Sequence, residues 1–366
     1  MSGIKPQYKI PSMKEIEKTP WNGYNVVSTF SGGGGSCLGY RMAGYHVLWA
    51  NEFVEEAQKT YEANHRDTIL DKRDIRTVTA DEILTVLGVS AGEIDLFDGS
   101  PPCCAFSTAG KREKGWNQER SYSDGKSQRI EDLFFEYIRL LKGLQPKTFV
   151  AENVSGLVKG TAVGYFKEFI KEMKDCGYRV SAKLLNAKWL GVPQSRERLI
   201  FLGVRNDLGI DPVFPKPFSY SYNIGEAIEG VVNDHREEER LIEEEKRHSR
   251  YNVLKKIPKN PVKPTSGGEY ANGSYFNLIR ESLYKPCSTI CQSNGKKSAS
   301  GNCHPLQDRK FTIAELKRIT SVPDDFVLTG SYEQQWERLG RMVPPIMMMN
   351  IAQTIQREVL DKCVTM

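Results

Sequence analysis

The sequence has no long hydrophobic run. Its longest apolar stretches, such as residues 346–349, are far shorter than the ~20 residues that a membrane-spanning helix requires. An apolar signal segment is also lacking at its start, so the 8 cysteines do not predict a secreted disulfide framework. Charge is nearly balanced, with 51 Lys+Arg against 46 Asp+Glu and a net charge of +5. We therefore expect a reducing compartment, no membrane partner and compatibility with an anionic partner.

The spacing typical of structural zinc sites is missing as well. Cys287, Cys291, Cys303 and His304 are residue types that bind zinc, but no pair of these cysteines has Cys-x-x-Cys spacing. We therefore predict no metal site.

Short apolar segments alternate with helical patterns from residue 24 to about residue 205. Five of these segments have the length and composition of buried parallel strands: residues 24–27, 47–50, 95–97, 148–151 and 198–202. Between them, residues 133–141 and 165–173 carry apolar side chains at helical spacing. The alternation predicts an α/β fold.

The composition changes after residue 205, where proline-rich and highly charged stretches replace the alternating pattern. A chain of 366 residues is long enough for one large domain and a smaller one. We predict four segments: an N-terminal extension (1–20), a catalytic and cofactor-binding domain (21–205), a second, less regular domain (206–305), and a C-terminal segment that returns to the first domain (306–366).

A glycine-rich loop, residues 30–36 with the sequence FSGGGGS, follows the first predicted strand. Glycine at this position lets a ligand approach the backbone closely. Glu52 ends the second strand candidate about 20 residues further on, where such folds bind ribose hydroxyls. Asp74 and Ile75 lie near the expected end of the third strand, although an ordinary loop carboxylate is the alternative for Asp74. The pattern predicts a cofactor that contains adenosine.

A thiol follows another predicted strand, in residues 99–107 with the sequence GSPPCCAFS. The two prolines lack amide donors and fix φ, so the backbone beside Cys103 is stiff. Because a stiff backbone loses little entropy when a nucleophile is aligned, the segment favours covalent chemistry at Cys103. A buried structural cysteine is the alternative.

Three further motifs complete the set: ENV at residues 152–154, QSRER at 194–198 and GRMVPP at 340–345. Together with the glycine loop and the Pro-Pro-Cys segment, and in this order, they resemble the DNA cytosine-5 methyltransferases. The resemblance covers about residues 24–205 and 286–360. It implies a Rossmann-like, S-adenosylmethionine-dependent methyltransferase sheet with a smaller, irregular target-recognition domain.

The resemblance also implies a catalytic set of Cys103, Glu152, Arg196 and Arg198. The Cys103 thiolate would add to carbon 6 of cytosine, which makes carbon 5 nucleophilic. Glu152 would hold and protonate the ring at N3, and Arg198 would contact O2. Arg196 would orient Glu152 or the thiol, and both arginines would favour the thiolate. A surface ion pair with Glu197 is the alternative for the two arginines.

The implied cofactor is S-adenosyl-L-methionine, and the implied partner is double-stranded DNA from which the target base is flipped. The residues assigned to the cofactor are Phe30, Ser31, Gly32, Gly34, Gly35, Glu52, Asp74, Ile75, Pro102, Arg341 and Val343. The residues assigned to DNA are Ser107, Lys111, Arg112, Lys114 and Gln194. The first four belong to a basic, glycine-containing loop suited to phosphates, with a merely solvated loop as the alternative.

The sequence departs from the family pattern at three places. Cys104 replaces the usual glutamine after the nucleophile, and Ser28 and Thr29 stand where an acidic residue is common. Arg341 replaces an asparagine close to the transferable methyl group. An inward cation there would repel a sulfonium about 4 Å away by roughly 1 to 4 kcal/mol, unless an added anion reversed the sign. Carboxy-S-adenosyl-L-methionine carries such a carboxylate, and its product would be 5-carboxymethylcytosine. The alternative is that Arg341 turns outward.

We therefore expect a monomeric DNA (cytosine-5-)-methyltransferase in the cytoplasm of a bacterial or phage-infected cell. Three alternatives stay open: a DNA carboxymethyltransferase, a tRNA cytosine-5 methyltransferase, and a catalytically silent DNA-binding relative. The sizeable region 206–305 favours DNA over tRNA. The intact Cys103, Glu152 and Arg198 argue against the silent relative.

Overall fold

The computed structural model describes residues 5–102, 120–121, 127–128, 133–295 and 301–364. The strands are β1 (Asn25–Thr29), β2 (His46–Asn51), β3 (Ile69–Asp71), β4 (Leu96–Gly99), β5 (Arg120–Ser121), β6 (Ser127–Gln128), β7 (Thr148–Val154), β8 (Tyr178–Asn186), β9 (Gln194–Ser195), β10 (Glu197–Arg205), β11 (Thr265–Ser266), β12 (Leu278–Arg280), β13 (Cys287–Ser288) and β14 (Gly301–Cys303). The α-helices are α1 (Met13–Glu17), α2 (Gly35–Met42), α3 (Glu55–Asn64), α4 (Ala80–Leu87), α5 (Leu133–Leu144), α6 (Val163–Asp175), α7 (Ile224–Ile228), α8 (His235–Lys246), α9 (Tyr251–Leu254), α10 (Ile313–Ile319), α11 (Tyr332–Arg341), α12 (Pro345–Ile355) and α13 (Asp361–Val364), with a π-helical stretch, Gln356–Leu360, between the last two.

A seven-stranded sheet in the order β3-β2-β1-β4-β7-β10-β8 forms the centre of the fold. The neighbouring pairs from β3 to β7 are parallel, whereas β10 runs antiparallel to β7. The five predicted strand segments correspond to β1, β2, β4, β7 and β10, which confirms the predicted α/β class. Their short apolar runs suit strands that are covered on both faces.

The two predicted amphipathic patterns form α5 and α6, which pack on the sheet. Phe134 of α5 stacks on Phe169 of α6, with ring centroids 3.8 Å apart. Tyr137 of α5 stacks on Phe97 of β4 at 4.6 Å and donates a hydrogen bond to the Val150 carbonyl. These contacts fix β4 and β7 side by side, and both strands lead into the site described below.

The chain divides into two compact units. The sheet unit comprises Ile16–Leu185, Glu197–Lys216 and Met348–Met366. In it, the Tyr45 hydroxyl donates to the Ala352 carbonyl at 3.0 Å, so the C-terminal helix α12 is joined to the sheet unit. The C-terminal segment therefore returns to the sheet from Met348, later than the predicted residue 306.

The small-sheet unit comprises Met1–Glu15, Asn186–Arg196 and Pro217–Met347. It contains a three-stranded sheet, β11-β12-β14, and the parallel pair β13-β9. Arg280 on β12 is fully buried and donates to the carbonyls of Leu254 and His304. Short strands joined through a buried guanidinium make this unit less regular than the sheet unit.

No helix in the part of the chain that the structure describes has the length and apolar character needed to cross a membrane. The same residues contain no group of three or more His, Cys, Asp or Glu side chains arranged to hold a metal ion.

Candidate active site

The carboxyl ends of β1, β2, β4 and β7 meet at one edge of the large sheet. The register pairs Thr29 with Gly99 and Gly99 with Ala151, so the loops after β1 and β4 and the end of β7 lie side by side. Ligands of open α/β sheets bind at this edge. The structure therefore brings together the glycine loop, Glu52, the residues leading to Cys103, and Glu152.

The glycine loop has a left-handed backbone at three positions. Phe30 has φ 53°, Gly32 φ 56° and Gly34 φ 90°. The buried Glu52 carboxylate stabilises this shape, since its Oε2 accepts from Gly32 N and its Oε1 accepts from Val54 N, both at 2.7 Å. Glu52 thus joins the loop after β1 to the residues that follow β2.

This arrangement fits an adenosine-containing cofactor. A Cβ added at Gly32 would meet nothing within 4 Å, so open space lies above the loop. The Glu52 carboxylate lies at the end of β2, where folds of this kind bind ribose hydroxyls. Asp74 caps the short 3₁₀ helix Ile75–Thr77 and pairs with Arg76 at 3.2 Å, while the Ile75 side chain is buried. A bound S-adenosylmethionine would supply an electrophilic methyl group at this edge.

His65 lies directly behind Gly34. A Cβ at Gly34 would fall 2.2 Å from His65 Nε2, so the imidazole fills the space of any side chain there. The ring stacks on Tyr61, with centroids 4.4 Å apart. Burial lowers the pKa of His65 to about 3, so the imidazole is neutral at physiological pH. Gly34 is required both for its φ and for this close approach.

Replacing Gly34 with alanine is expected to weaken binding of S-adenosylmethionine by about tenfold or more, because left-handed strain and the His65 clash both displace the loop. Isothermal titration calorimetry measures the affinity. Gly88→Ala is the matched control, since Gly88 also has positive φ, 65°, but has nothing within 4 Å of its added Cβ. Equal affinities in the two variants would contradict the prediction.

Asp98 is a buried carboxyl group beneath the glycine loop. Its Oδ1 accepts from the Tyr40 hydroxyl and its Oδ2 from the Ser28 hydroxyl, both at 2.9 Å. Burial raises the pKa of Asp98 to about 7, and these two hydrogen bonds only partly oppose that shift. Asp98 was not among the predicted site residues; its one visible signal in the sequence is an acidic residue inside an apolar strand.

The raised pKa of Asp98 predicts the direction in which the stability of the fold changes with pH. Between pH 4 and 7 the unfolded chain loses the Asp98 proton while the folded chain keeps it, so this group lowers stability as pH rises. Asp98→Asn removes the titration, and the free energy of unfolding of the variant relative to wild type should rise by up to about 4 kcal/mol from pH 4 to 7. Urea unfolding across this range measures the difference. A difference that does not change with pH would contradict the prediction.

At the end of β7, the Glu152 carboxylate pairs with Arg198 at the start of β10. Arg198 Nε lies 2.6 Å from Glu152 Oε1, and both side chains are largely buried. The antiparallel register pairs Arg198 with Val154 and Ile200 with Glu152, which places both charged groups on one face. Arg196 was predicted to orient Glu152 or the thiol; in the structure it is Arg198 that contacts Glu152.

The segment that leads to Cys103 is tied to both neighbouring strands. Ser100 N donates to the Thr29 carbonyl at 3.4 Å, and Asn153 Nδ2 donates to the Pro101 carbonyl at 3.3 Å. Pro102 is the last residue before the gap in the described structure. Five predicted site residues lie outside the described residues: Cys103, Ser107, Lys111, Arg112 and Lys114.

Arg196 and Gln194 lie in the small-sheet unit. Arg196 is 1% exposed and donates to the carbonyls of Ile290 and Arg341, each at 3.2 Å. Gln194 is fully buried, and its Oε1 accepts from Ile290 N at 3.3 Å. This conformation presents no Gln194 surface to DNA, which differs from the predicted contact, because the side chain is turned inward to Ile290 N.

Arg341 and Val343 belong to the same unit, at and after the end of α11. The Arg341 guanidinium binds Glu337 one helical turn earlier, with Nη2 2.9 Å from Oε1, and its side chain is 38% exposed. Val343 is buried. Arg341 was predicted either to face the cofactor as a cation or to turn outward; the structure gives it a carboxylate partner at i,i−4 spacing.

The strand order, with one antiparallel strand beside a parallel set, and the glycine loop at its carboxyl edge define an S-adenosylmethionine-dependent methyltransferase fold. The chain belongs to the C-5 cytosine-specific DNA methylase family, whose model matches residues 24–357. This membership confirms the family predicted from the sequence motifs.

Individual relatives agree over nearly the full length of the chain. Type II methyltransferase M.FnuDI of Fusobacterium nucleatum is 32% identical, with 92% of this chain and 95% of the relative covered. M.NgoPII of Neisseria gonorrhoeae is 29% identical, with 94% of this chain and 99% of the relative covered. Among solved structures, DNMT2 of Spodoptera frugiperda has a TM-score of 0.63 and 19% identity, covering 94% of this chain and 100% of that one. That likeness shows the fold.

Proposed function

We propose that the protein transfers a methyl group from S-adenosylmethionine to carbon 5 of a cytosine flipped out of duplex DNA, through a covalent bond to Cys103. The observation that carries the proposal is the Glu152–Arg198 pair beside the segment leading to Cys103. The DNA methylase family and the Type II methyltransferase relatives support cytosine as the target and DNA as the partner.

The residues divide the chemistry between them. The Cys103 thiolate adds to carbon 6 while the protonated Glu152 carboxyl gives its proton to N3, and the carboxylate that this leaves pairs with Arg198. Carbon 5 then takes the methyl group as the sulfonium becomes a thioether. Loss of the carbon 5 proton to a base expels the thiolate, and return of the N3 proton to the Glu152 carboxylate restores the neutral ring. Arg198 holds the Glu152 side chain in position throughout and faces the base as a cation.

Arg341 bears on which group is transferred. A carboxymethyl transfer from carboxy-S-adenosylmethionine would need the Arg341 charge to face the cofactor carboxylate. In the structure the Glu337 carboxylate lies on that guanidinium, which offsets the repulsion toward a sulfonium that motivated this alternative. The pairing favours transfer of an ordinary methyl group.

Incubation of the purified protein with unmodified duplex DNA or tRNA, and with S-adenosylmethionine or carboxy-S-adenosylmethionine, tests the proposal. Mass spectrometry of the digested nucleosides identifies the product. We expect 5-methylcytosine in DNA from S-adenosylmethionine, with Arg341→Asn as active as wild type.

Each other outcome has one meaning. Product found only in tRNA would show that the substrate is tRNA and not DNA. Formation of 5-carboxymethylcytosine by the wild type but not by Arg341→Asn would show that the transferred group is carboxymethyl and not methyl. No product, together with no covalent complex on DNA that contains 5-fluorocytosine, would indicate a catalytically silent DNA-binding relative.

A further inference from the structure

An acidic side chain is buried where the large sheet meets the glycine loop. Asp98 is 1% exposed, and it interrupts a strand whose neighbouring residues Leu96 and Phe97 are fully buried and apolar. A carboxyl group in such a place opposes folding unless other groups hydrogen-bond to it. Its partners therefore show what it does.

Those partners come from both sides of the glycine loop. Ser28 lies on β1, directly before the loop, and Tyr40 lies on α2, directly after it. The register of β1 and β4 pairs Ser28 with Asp98, so the carboxyl group lies level with the entry to the loop. One buried group thus fixes the strand that enters the loop and the helix that leaves it.

The contact continues into the loop itself. The Ser28 hydroxyl oxygen lies 3.0 Å from that of Ser31, and Ser31 N donates to the Asn51 carbonyl at 3.0 Å. Ser31 is therefore held from β4 through Ser28 and from β2 directly. The residue after it, Gly32, is the one that Glu52 binds.

We propose that Asp98 is a positioning residue for S-adenosylmethionine binding, which sets the glycine loop in its binding shape through Ser28, Ser31 and Tyr40. The inference rests on the proposed use of this cofactor. Asp98 acts through other residues and is not assigned a contact with the cofactor. In this chain β4 supplies a carboxyl group next to Ser28, where the family pattern has an acidic residue on β1.

Calorimetric titration of S-adenosylmethionine into wild type, Asp98→Asn, Tyr40→Phe and the exchange variant Ser28→Asp/Asp98→Ser tests the inference. Asp98→Asn replaces one of the two acceptor oxygens with a donor and leaves a buried hydroxyl partner unsatisfied, which should weaken affinity about ten- to hundredfold, and Tyr40→Phe should weaken it severalfold. The exchange variant returns a carboxyl group to the same pair of positions, so it should recover most of the affinity. Thermal unfolding of the cofactor-free proteins separates affinity from stability.

Asp95→Asn is the matched control. Asp95 is also buried and adjoins β4, but it binds Lys147 and Asn25 N at the opposite end of the strands. Its loss should lower stability and leave affinity unchanged.

Wild-type affinity in both Asp98→Asn and Tyr40→Phe would overturn the inference and leave the proposed function intact. An Asp98→Asn protein that does not fold, beside a Tyr40→Phe protein with wild-type affinity, would also overturn it, because the carboxyl group would then serve folding alone. Failure of the wild-type protein to bind S-adenosylmethionine would overturn the proposed function itself, and this inference with it.

Discussion

Cys103→Ser is expected to lower the rate of methyl transfer to DNA by at least about a thousandfold, with S-adenosylmethionine affinity unchanged. A hydroxyl is a far weaker nucleophile than a thiolate, and without addition at carbon 6, carbon 5 cannot take the methyl group. Single-turnover transfer of radiolabelled methyl groups measures the rate. A denaturing gel of protein trapped on 5-fluorocytosine DNA shows directly whether the covalent bond forms.

The adjacent thiol and a distant one supply the controls. Cys104→Ala keeps the proposed nucleophile and should still be trapped on 5-fluorocytosine DNA. Cys176, a partly buried free thiol at the end of α6, can be replaced by serine without touching the sheet edge. Trapping of Cys103→Ser but not of Cys104→Ala would move the nucleophile to the second position.

Glu152→Gln should lower the single-turnover rate about a hundred- to ten-thousandfold, the range that a positioned general acid contributes. The amide keeps the size of the side chain but cannot deliver a proton to N3, and it loses the ion pair with Arg198. The covalent complex on 5-fluorocytosine DNA should form slowly, because the adduct and the protonation depend on each other. S-adenosylmethionine affinity should not change.

Strand β10, which carries Arg198, offers a control at its other end. Asp207 pairs with Arg205 of β10 at 2.8 Å, far along the strand from Arg198. Asp207→Asn removes a carboxylate from an arginine of the same strand and should leave transfer at the wild-type rate. A comparable loss in Asp207→Asn and Glu152→Gln would show that general weakening of β10, rather than proton delivery, limits the reaction.

The sheet could be predicted from the sequence because each of its predicted strands is marked by the residues of that strand alone. Short apolar runs such as residues 148–151 are recognisable without knowledge of their neighbours, and the glycine loop and Glu52 follow the strand ends at characteristic spacing. The ENV motif, in its order among the other motifs, predicted the position of Glu152. The strands and the glycine loop are each recognised from residues that are neighbours in the chain.

The remaining features depend on pairing between distant segments. Asp98 meets Ser28 only because β1 and β4, which are 70 residues apart, share a register. The Gln194 side chain accepts from Ile290 N, a partner 96 residues further along the chain. Of the two arginines in QSRER, the first binds backbone carbonyls in the small-sheet unit, whereas the second binds Glu152. Local patterns carry no information on these partners.

The antiparallel pairing of β10 with β7 limits which insertions and deletions near Arg198 the site can tolerate. Glu152 lies near the end of β7 and Arg198 near the start of its antiparallel neighbour β10. The ion pair therefore depends on the register in which the two strands pair. Side chains alternate between the two faces of a sheet, so deletion of residue 199, or insertion of one residue between Arg198 and Ile200, would turn the guanidinium to the opposite face. Substitutions there change the chemistry by degrees, whereas a single codon gained or lost would remove the partner of Glu152 altogether.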